Sequence, residues 1–448
     1  MNIMKKQILS LGLIILVCSS IMFTGCVTKQ TPVVTPKTTE DRARDIVTLL
    51  IDKNYTGVYS YFNTSITTQI SAVQFQNIWE QNVQKNYGNL TRIDGNRTAN
   101  ESGYQVVYET CNFSKPTELD VKIVFNSQDK VISLTVVPTT VPYTPPSYVN
   151  QQNFTEESVT VGSGTWLLPG NLTIPNGPGP FPAVVLVQGS GANDQDETIG
   201  PNKPFKDIAY GLSSQGIAVL RYVKRTREYP QQTLAMLNNF TVQDEVIDDV
   251  IAAIDLLNAS PLVDHARMFV LGHSLGGYLA PRIASEDHRI AGVIMFAAPT
   301  RHLEDLILEQ TRYLANLSGM NQTAEIEAVE RGVEKIKTLN FTGNETVFGA
   351  GKAYWQDLST YDPVAVAQTL RIPMLILQGL RDYQVTLTDF ERWNQTFSGN
   401  PLVTLKTYPS LNHLFIPGTG TPSNAEYQIP GHVSAQVVSD TVRWVKTH

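Results

Sequence analysis

The sequence predicts an α/β protein: a doubly wound, mostly parallel eight-stranded sheet with a helical cap insertion, preceded by a small α+β domain. Three observations carry this. Past residue 151, short β-branched runs alternate with longer stretches of helical periodicity, the pattern of βαβ crossovers. Residues 40–137 instead run helices first and strands afterwards. Between the two, residues 138–150 are proline-rich and mark a stiff linker.

The chain has 448 residues, enough for a full enzyme core and an accessory domain. Its 34 basic and 41 acidic residues give a net charge of −7. No basic run exceeds a doublet, which argues against a nucleic-acid partner. Residues 1–26 pair a basic start (Lys5, Lys6) with an apolar run and Thr24-Gly25-Cys26, so they read as a signal peptide with a lipobox-like cleavage site. Cys26 is the expected lipidation residue, a tether to a membrane. An uncleaved anchor and plain secretion are the alternatives. Fifteen Asn-x-Ser/Thr triplets, well above what composition supplies, point to an extracytoplasmic surface carrying sugars. Residues 27–39 are a Thr/Pro-rich spacer.

In the small domain, helical spacing over residues 41–54 and 72–83 precedes strand-like alternation over 104–108, 119–125 and 131–136. No acid/base pair or metal-ligand cluster stands out there, and Cys111 reads as a buried strand residue. In the large domain, residues 159–161 and 165–174 read as a hairpin broken at Pro169-Gly170. Strands follow at 183–187, 217–222, 268–271, 291–296, 374–377 and 402–408. Residues 301–358 interrupt this alternation with amphipathic helices, a candidate cap over a site or an ordinary helical crossover.

The chemistry concentrates at the ends of those strands. Gly272-His273-Ser274-Leu275-Gly276-Gly277 lies between a strand and a helix, where a serine on a sharp turn needs small neighbours; Gly272 and Gly276 supply them. Ser274 is the candidate nucleophile, and the Leu275 amide a candidate oxyanion donor. A serine hydroxyl needs a general base oriented by a carboxylate. Asp382, just past a strand, and His413, past the next, follow in the order Ser, Asp, His. His432 is the rival base, read as a capping or surface residue. Asp362, before Pro363, reads as a helix-end residue. The turn Gln188-Gly189-Ser190-Gly191 should bring the second oxyanion donor, the amide of Ser190 or else of Gly191. The polar stretch 192–203 reads as an ordered hydrogen-bonded rim, with a metal site the less favoured alternative.

Together with Gly216-Ile-Ala-Val-Leu-Arg-Tyr-Val-Lys-Arg and Gln378-Gly-Leu-Arg-Asp-Tyr-Gln-Val, these stretches resemble the α/β-hydrolase carboxylesterases related to dienelactone hydrolases and prolyl-oligopeptidase-type domains. The preceding domain resembles an uncharacterised cystatin- or NTF2-like module. Two positions depart from the pattern: Gln188 stands where His is more frequent, and Val223 where Asp is common. The resemblance implies hydrolysis of a small-molecule ester with a short- to medium-chain acyl group through an acyl-serine, with no metal and no organic cofactor. A peptidase, and a non-catalytic binding protein on the same scaffold, are the competing expectations.

Overall fold

The computed structural model describes residues 37–448 except 102, 103, 116, 117, 140–142 and 319–321. Cys26 and the signal and spacer segments fall outside them, apart from residues 37–39. The chain divides into two compact units, residues 1–142 and 143–448.

In the first unit, helix α1 (Thr39–Ile51) starts where Thr38 and Asp41 form a reciprocal capping box, which satisfies two free N-terminal amides. Its Ala43, Ile46, Val47 and Leu50 recur at helical spacing and are buried. With α2 (Ala72–Trp79), it covers an antiparallel sheet of β1 (Leu90–Glu101), β2 (Tyr104–Phe113), β3 (Glu118–Phe125) and β4 (Val131–Pro138) in sequential order. The sequence expectation omitted β1. Its composition, Leu-Thr-Arg-Ile-Asp-Gly-Asn-Arg-Thr-Ala-Asn-Glu, is poor in strand formers, and pairing with the apolar β2 makes it a strand. Cys111 is a free, buried thiol on β2, and burial among carboxylates pushes its pKa up to about 12.

The second unit is built on an eight-stranded sheet in the order β12-β11-β10-β9-β7-β8-β6-β5. The strands β5 (Phe154–Val161) and β6 (Leu168–Pro175) form an antiparallel hairpin, and β6 joins β8 (Ala218–Tyr222) antiparallel. Pro169 and Gly170 do not break the hairpin as expected. Both lie inside β6, opposite Thr160 and Val159. A Cβ at Gly170 would fall 2.6 Å from the Arg221 carbonyl, so glycine there permits the close approach of β8.

The remaining strands are parallel: β7 (Phe181–Val187), β8, β9 (Val263–His273), β10 (Ile290–Phe296), β11 (Met374–Gly379) and β12 (Val403–Tyr408). Successive residues of β7 bury on opposite faces, Ala183, Val185 and Val187 in one core, Val184 and Leu186 in the other. Each such Val or Leu contributes about 1.5–3 kcal/mol by leaving water. Helices α3 (Pro204–Ser213), α4 (Asp248–Asn258), α5 (Leu275–Glu286), α6 (Leu303–Ser318), α7 (Thr323–Lys337), α8 (Lys352–Ser359), α9 (Pro363–Thr369), α10 (Leu387–Phe397) and α11 (Ala435–Thr447) connect or flank them. Residues 143–150, expected as linker, are part of this unit: Tyr143 donates to Asp207, and Tyr148 to the Val433 carbonyl. Among the described residues, no helix is long and apolar enough to cross a membrane.

The winding direction reverses at β7, which has β8 on one side and β9 on the other. In an open sheet, the crevice beyond the carboxyl ends of such strands is where ligands sit. The turn after β7 holds Gly189 and Ser190, and the turn after β9 holds Ser274.

Candidate active site

Ser274 has φ 53° and ψ −115°, a conformation that side chains rarely adopt, and it opens α5. The flanking glycines are sterically obligatory. A Cβ at Gly272 would fall 2.1 Å from the Gly276 carbonyl oxygen, and one at Gly276 would fall 2.2 Å from that of Val187. The turn is held by the Ser274 N–H donating to Phe296 O at 2.9 Å and by Tyr278 N–H donating to Ser274 O at 2.8 Å.

Asp382 and His413, 31 residues apart, meet through Nδ1 of His413 at 2.6 Å from Asp382 Oδ2. Asp382 is buried and its carboxylate is saturated. Oδ1 accepts from the Gln384 and Val385 amides at 2.8 and 3.0 Å, and Oδ2 also receives Gln378 Nε2 at 3.2 Å. These bonds fix the carboxylate's orientation and with it the His413 ring.

Ser274 and His413 line one cavity of about 580 Å³, with Gly189, Ser190 and Gly191. Its other walls are mostly apolar. Leu234, Leu237 and Phe240 come from one segment; Leu306, Ile307, Phe348 and Trp355 come from the 301–358 insertion. The insertion therefore walls the cavity that holds the serine. His432 sits elsewhere, on buried Asp207, and Asp362 caps α9 through the Val364 and Ala365 amides.

The peptide of Gly189 is clamped from both sides. Its N–H donates to Glu197 Oε1 at 2.6 Å, while its C=O accepts from Lys224 Nζ at 2.8 Å and Asn193 Nδ2 at 3.0 Å. Lys224, itself buried, pairs with Glu245 Oε1 at 2.7 Å, whose Oε2 accepts from the Tyr354 hydroxyl at 2.7 Å. The polar stretch 192–203 is thus a bonded loop: Asp194 caps the Asp196 and Thr198 amides, Asp196 pairs with Arg221 and Lys203, and Glu197 holds Gly189. Among the described residues no group of His, Cys, Asp and Glu could hold a metal ion.

Sequence reasoning singled out Ser190 and placed Glu197 in a rim, but gave Lys224, Glu245 and His273 no role. Lys224 sits in a Lys-Arg doublet that resembles a surface pair, and only the fold shows it buried.

Comparison with known proteins agrees with this architecture. Residues 43–134 match a family described as a protein of unknown function, DUF3887, and residues 208–430 match the prolyl oligopeptidase family. The chain is 39% identical over 399 residues to esterase EstD of Thermotoga maritima, covering 88% of this chain and 92% of that one. Among solved structures it is similar to the acylaminoacyl peptidase of Pyrococcus horikoshii, at 13% identity and a TM-score of 0.47 over 80% of this chain and 50% of that one. It is also similar to Est1E from Butyrivibrio proteoclasticus, at 14% identity and a TM-score of 0.41 over 65% of this chain and 99% of that one. At 39% identity to EstD across about nine-tenths of its length, and with residues 208–430 matching the family model, the chain belongs to the prolyl oligopeptidase family of α/β-hydrolases, alongside that esterase.

Proposed function

We propose that the protein is a serine esterase that cleaves short- to medium-chain acyl esters through an acyl-serine intermediate. The observation that carries this reading is the Asp382–His413 pair opening into the same cavity as Ser274 on its strained turn. With Nδ1–H donated to Asp382, His413 keeps Nε2 as the lone-pair nitrogen that accepts the Ser274 proton. Ser274 Oγ then attacks the ester carbonyl, and the backbone N–H groups of Ser190 and Leu275 receive the oxyanion. The protonated His413 returns its proton to the departing alcohol, and water releases the acid by the same route. EstD, by its name an esterase, supports the ester over the amide. The family name favours a second reading, amide cleavage.

Initial rates on p-nitrophenyl acetate, butyrate, octanoate and palmitate, beside an aminoacyl amide, test the reading. Ester turnover lost in a folded Ser274→Ala variant is expected. Retained hydrolysis in that variant excludes Ser274 as nucleophile, and turnover of the amide alone supports the peptidase.

The same reading places the enzyme outside the cytoplasm, held to a membrane by a lipid on Cys26. The basic start, apolar run and Gly25-Cys26 support it, as do the sequons, whose sugars would show as an endoglycosidase-sensitive mass. Incorporation of labelled palmitate that disappears in Cys26→Ser is the expected result; equal labelling excludes Cys26.

A further inference from the structure

Directly before Ser274, the structure holds a second histidine–carboxylate pair that the hydrolytic steps do not use. His273 is 4% exposed; its Nδ1 lies 3.0 Å from Glu197 Oε2, and its Nε2 lies 2.9 Å from the backbone oxygen of His413. Both partners are acceptors. Against an ionised Glu197, a neutral imidazole, with one N–H and one lone pair, sets lone pair against lone pair at one contact in either tautomer; the imidazolium donates at both, and a neutral ring fits only where Glu197 carries the proton instead. Burial works against that charge, but the Glu197 carboxylate, the His413 carbonyl and the Asp382 charge outweigh it and hold the ring above the usual histidine range.

Glu197 itself is held at φ 50°, and its other oxygen accepts the Gly189 N–H. An unbroken line therefore runs from the turn after β7, through Glu197 and His273, to the backbone of His413. The His273 and His413 rings pack with centroids 4.6 Å apart. The ionisable groups facing His273 are Glu197 from the loop after β7, Asp382 from the loop after β11 and His413 from the loop after β12. Lys224 lies on the carbonyl side of Gly189.

We propose that His273 is a positioning residue: held as a doubly donating imidazolium, it bolts the backbone of the base His413 to Glu197, and through Glu197 to the turn that presents the Ser190 amide. The inference rests on the esterase reading for the roles of His413 and Ser190. It makes the base and the oxyanion-binding turn one rigid body, so that their spacing is set before substrate arrives.

The test uses the full chain. In a sample carrying 15N-labelled histidine, with His273→Leu identifying the signals, His273 is expected to show two ring N–H protons at about pH 6.5, the ordinary histidine midpoint. A single ring N–H there overturns the proposal. In kinetics with p-nitrophenyl butyrate, His273→Leu is expected to lower kcat about 10- to 100-fold with KM little changed, because misplacement by about 1 Å acts on the transition state.

Glu197→Gln is the rescue variant: its amide oxygen still receives Gly189 N–H, and its NH2 donates to a now neutral His273, so the line stays intact and most of kcat should remain. A folded His273→Leu with unchanged kcat, or an equal loss in both variants, overturns the proposal. If neither variant folds, replacing each of the other six histidines in turn identifies the His273 signals by elimination, and the labelled chain still decides the matter. A wild-type chain that hydrolyses no ester fails the esterase reading, and the ring N–H count still reports on the imidazolium.

Discussion

Gly272 and Gly276 face each other across the serine turn so closely that a methyl group on Gly272 would stand 2.1 Å from the Gly276 carbonyl oxygen. That contact is backbone, so no rotamer change relieves it. Gly272→Ala is expected to destabilise the second unit by about 1–3 kcal/mol or more and to displace Ser274. Urea unfolding followed by tryptophan fluorescence reads the first effect and ester turnover the second; an alanine variant as stable and active as the parent would contradict the geometry.

Asp382→Asn keeps the size of the group that orients His413 but replaces an acceptor with an amide. The His413 ring is then free to present the wrong tautomer. A fall in kcat of about 10³- to 10⁴-fold, with the protein folded, is expected from steady-state kinetics on a p-nitrophenyl ester.

Lys224 pairs in the interior with Glu245, which lines the cavity, and Lys224 also holds the Gly189 carbonyl. Lys224→Met leaves the Glu245 carboxylate without its cation, which typically costs about 3–5 kcal/mol. Lys224→Met/Glu245→Gln removes both charges and should recover a large part of that loss. A double-mutant cycle on urea midpoints measures the coupling, and additive effects would show that the pair does not interact.

Glu109 in the first unit is fully buried on β2, and its Oε2 has no hydrogen-bond partner. Burial pushes its pKa up to about 7, against the opposing pull of Arg44 and Asn96. A carboxyl raised in the folded state stabilises below its unfolded pKa, and that contribution is lost as pH climbs through the folded value. The first unit should therefore weaken between about pH 4.5 and pH 7, by up to about 2–3 kcal/mol. Glu109→Gln is expected to flatten this trend in thermal melts of the full chain, raising Tm more at pH 8 than at pH 5.

The layout of the second unit was legible because its strands are apolar runs whose identity depends on local pattern. The strained turn at Ser274 was legible for a related reason: two glycines around a serine between strand and helix have few other structural causes. Strand β1 was not legible, since a polar edge strand owes its form to the partner beside it. Nor was the docking of Tyr143 and Tyr148, whose hydroxyls find Asp207 and the Val433 carbonyl far away in sequence. His273 and Glu197 stayed hidden for the same reason. A histidine with two acceptors is defined by groups 76 and 140 residues distant.

The insertion at residues 301–358 leaves the sheet after β10 and returns before β11, so it contributes cavity wall without supplying Ser274, Asp382 or His413. This part of the cavity wall and the three residues proposed for the chemistry therefore lie on separate stretches of chain. A change in the stretch between those two strands is thus free to reshape the cavity while Ser274, Asp382 and His413 keep their places in the sheet loops.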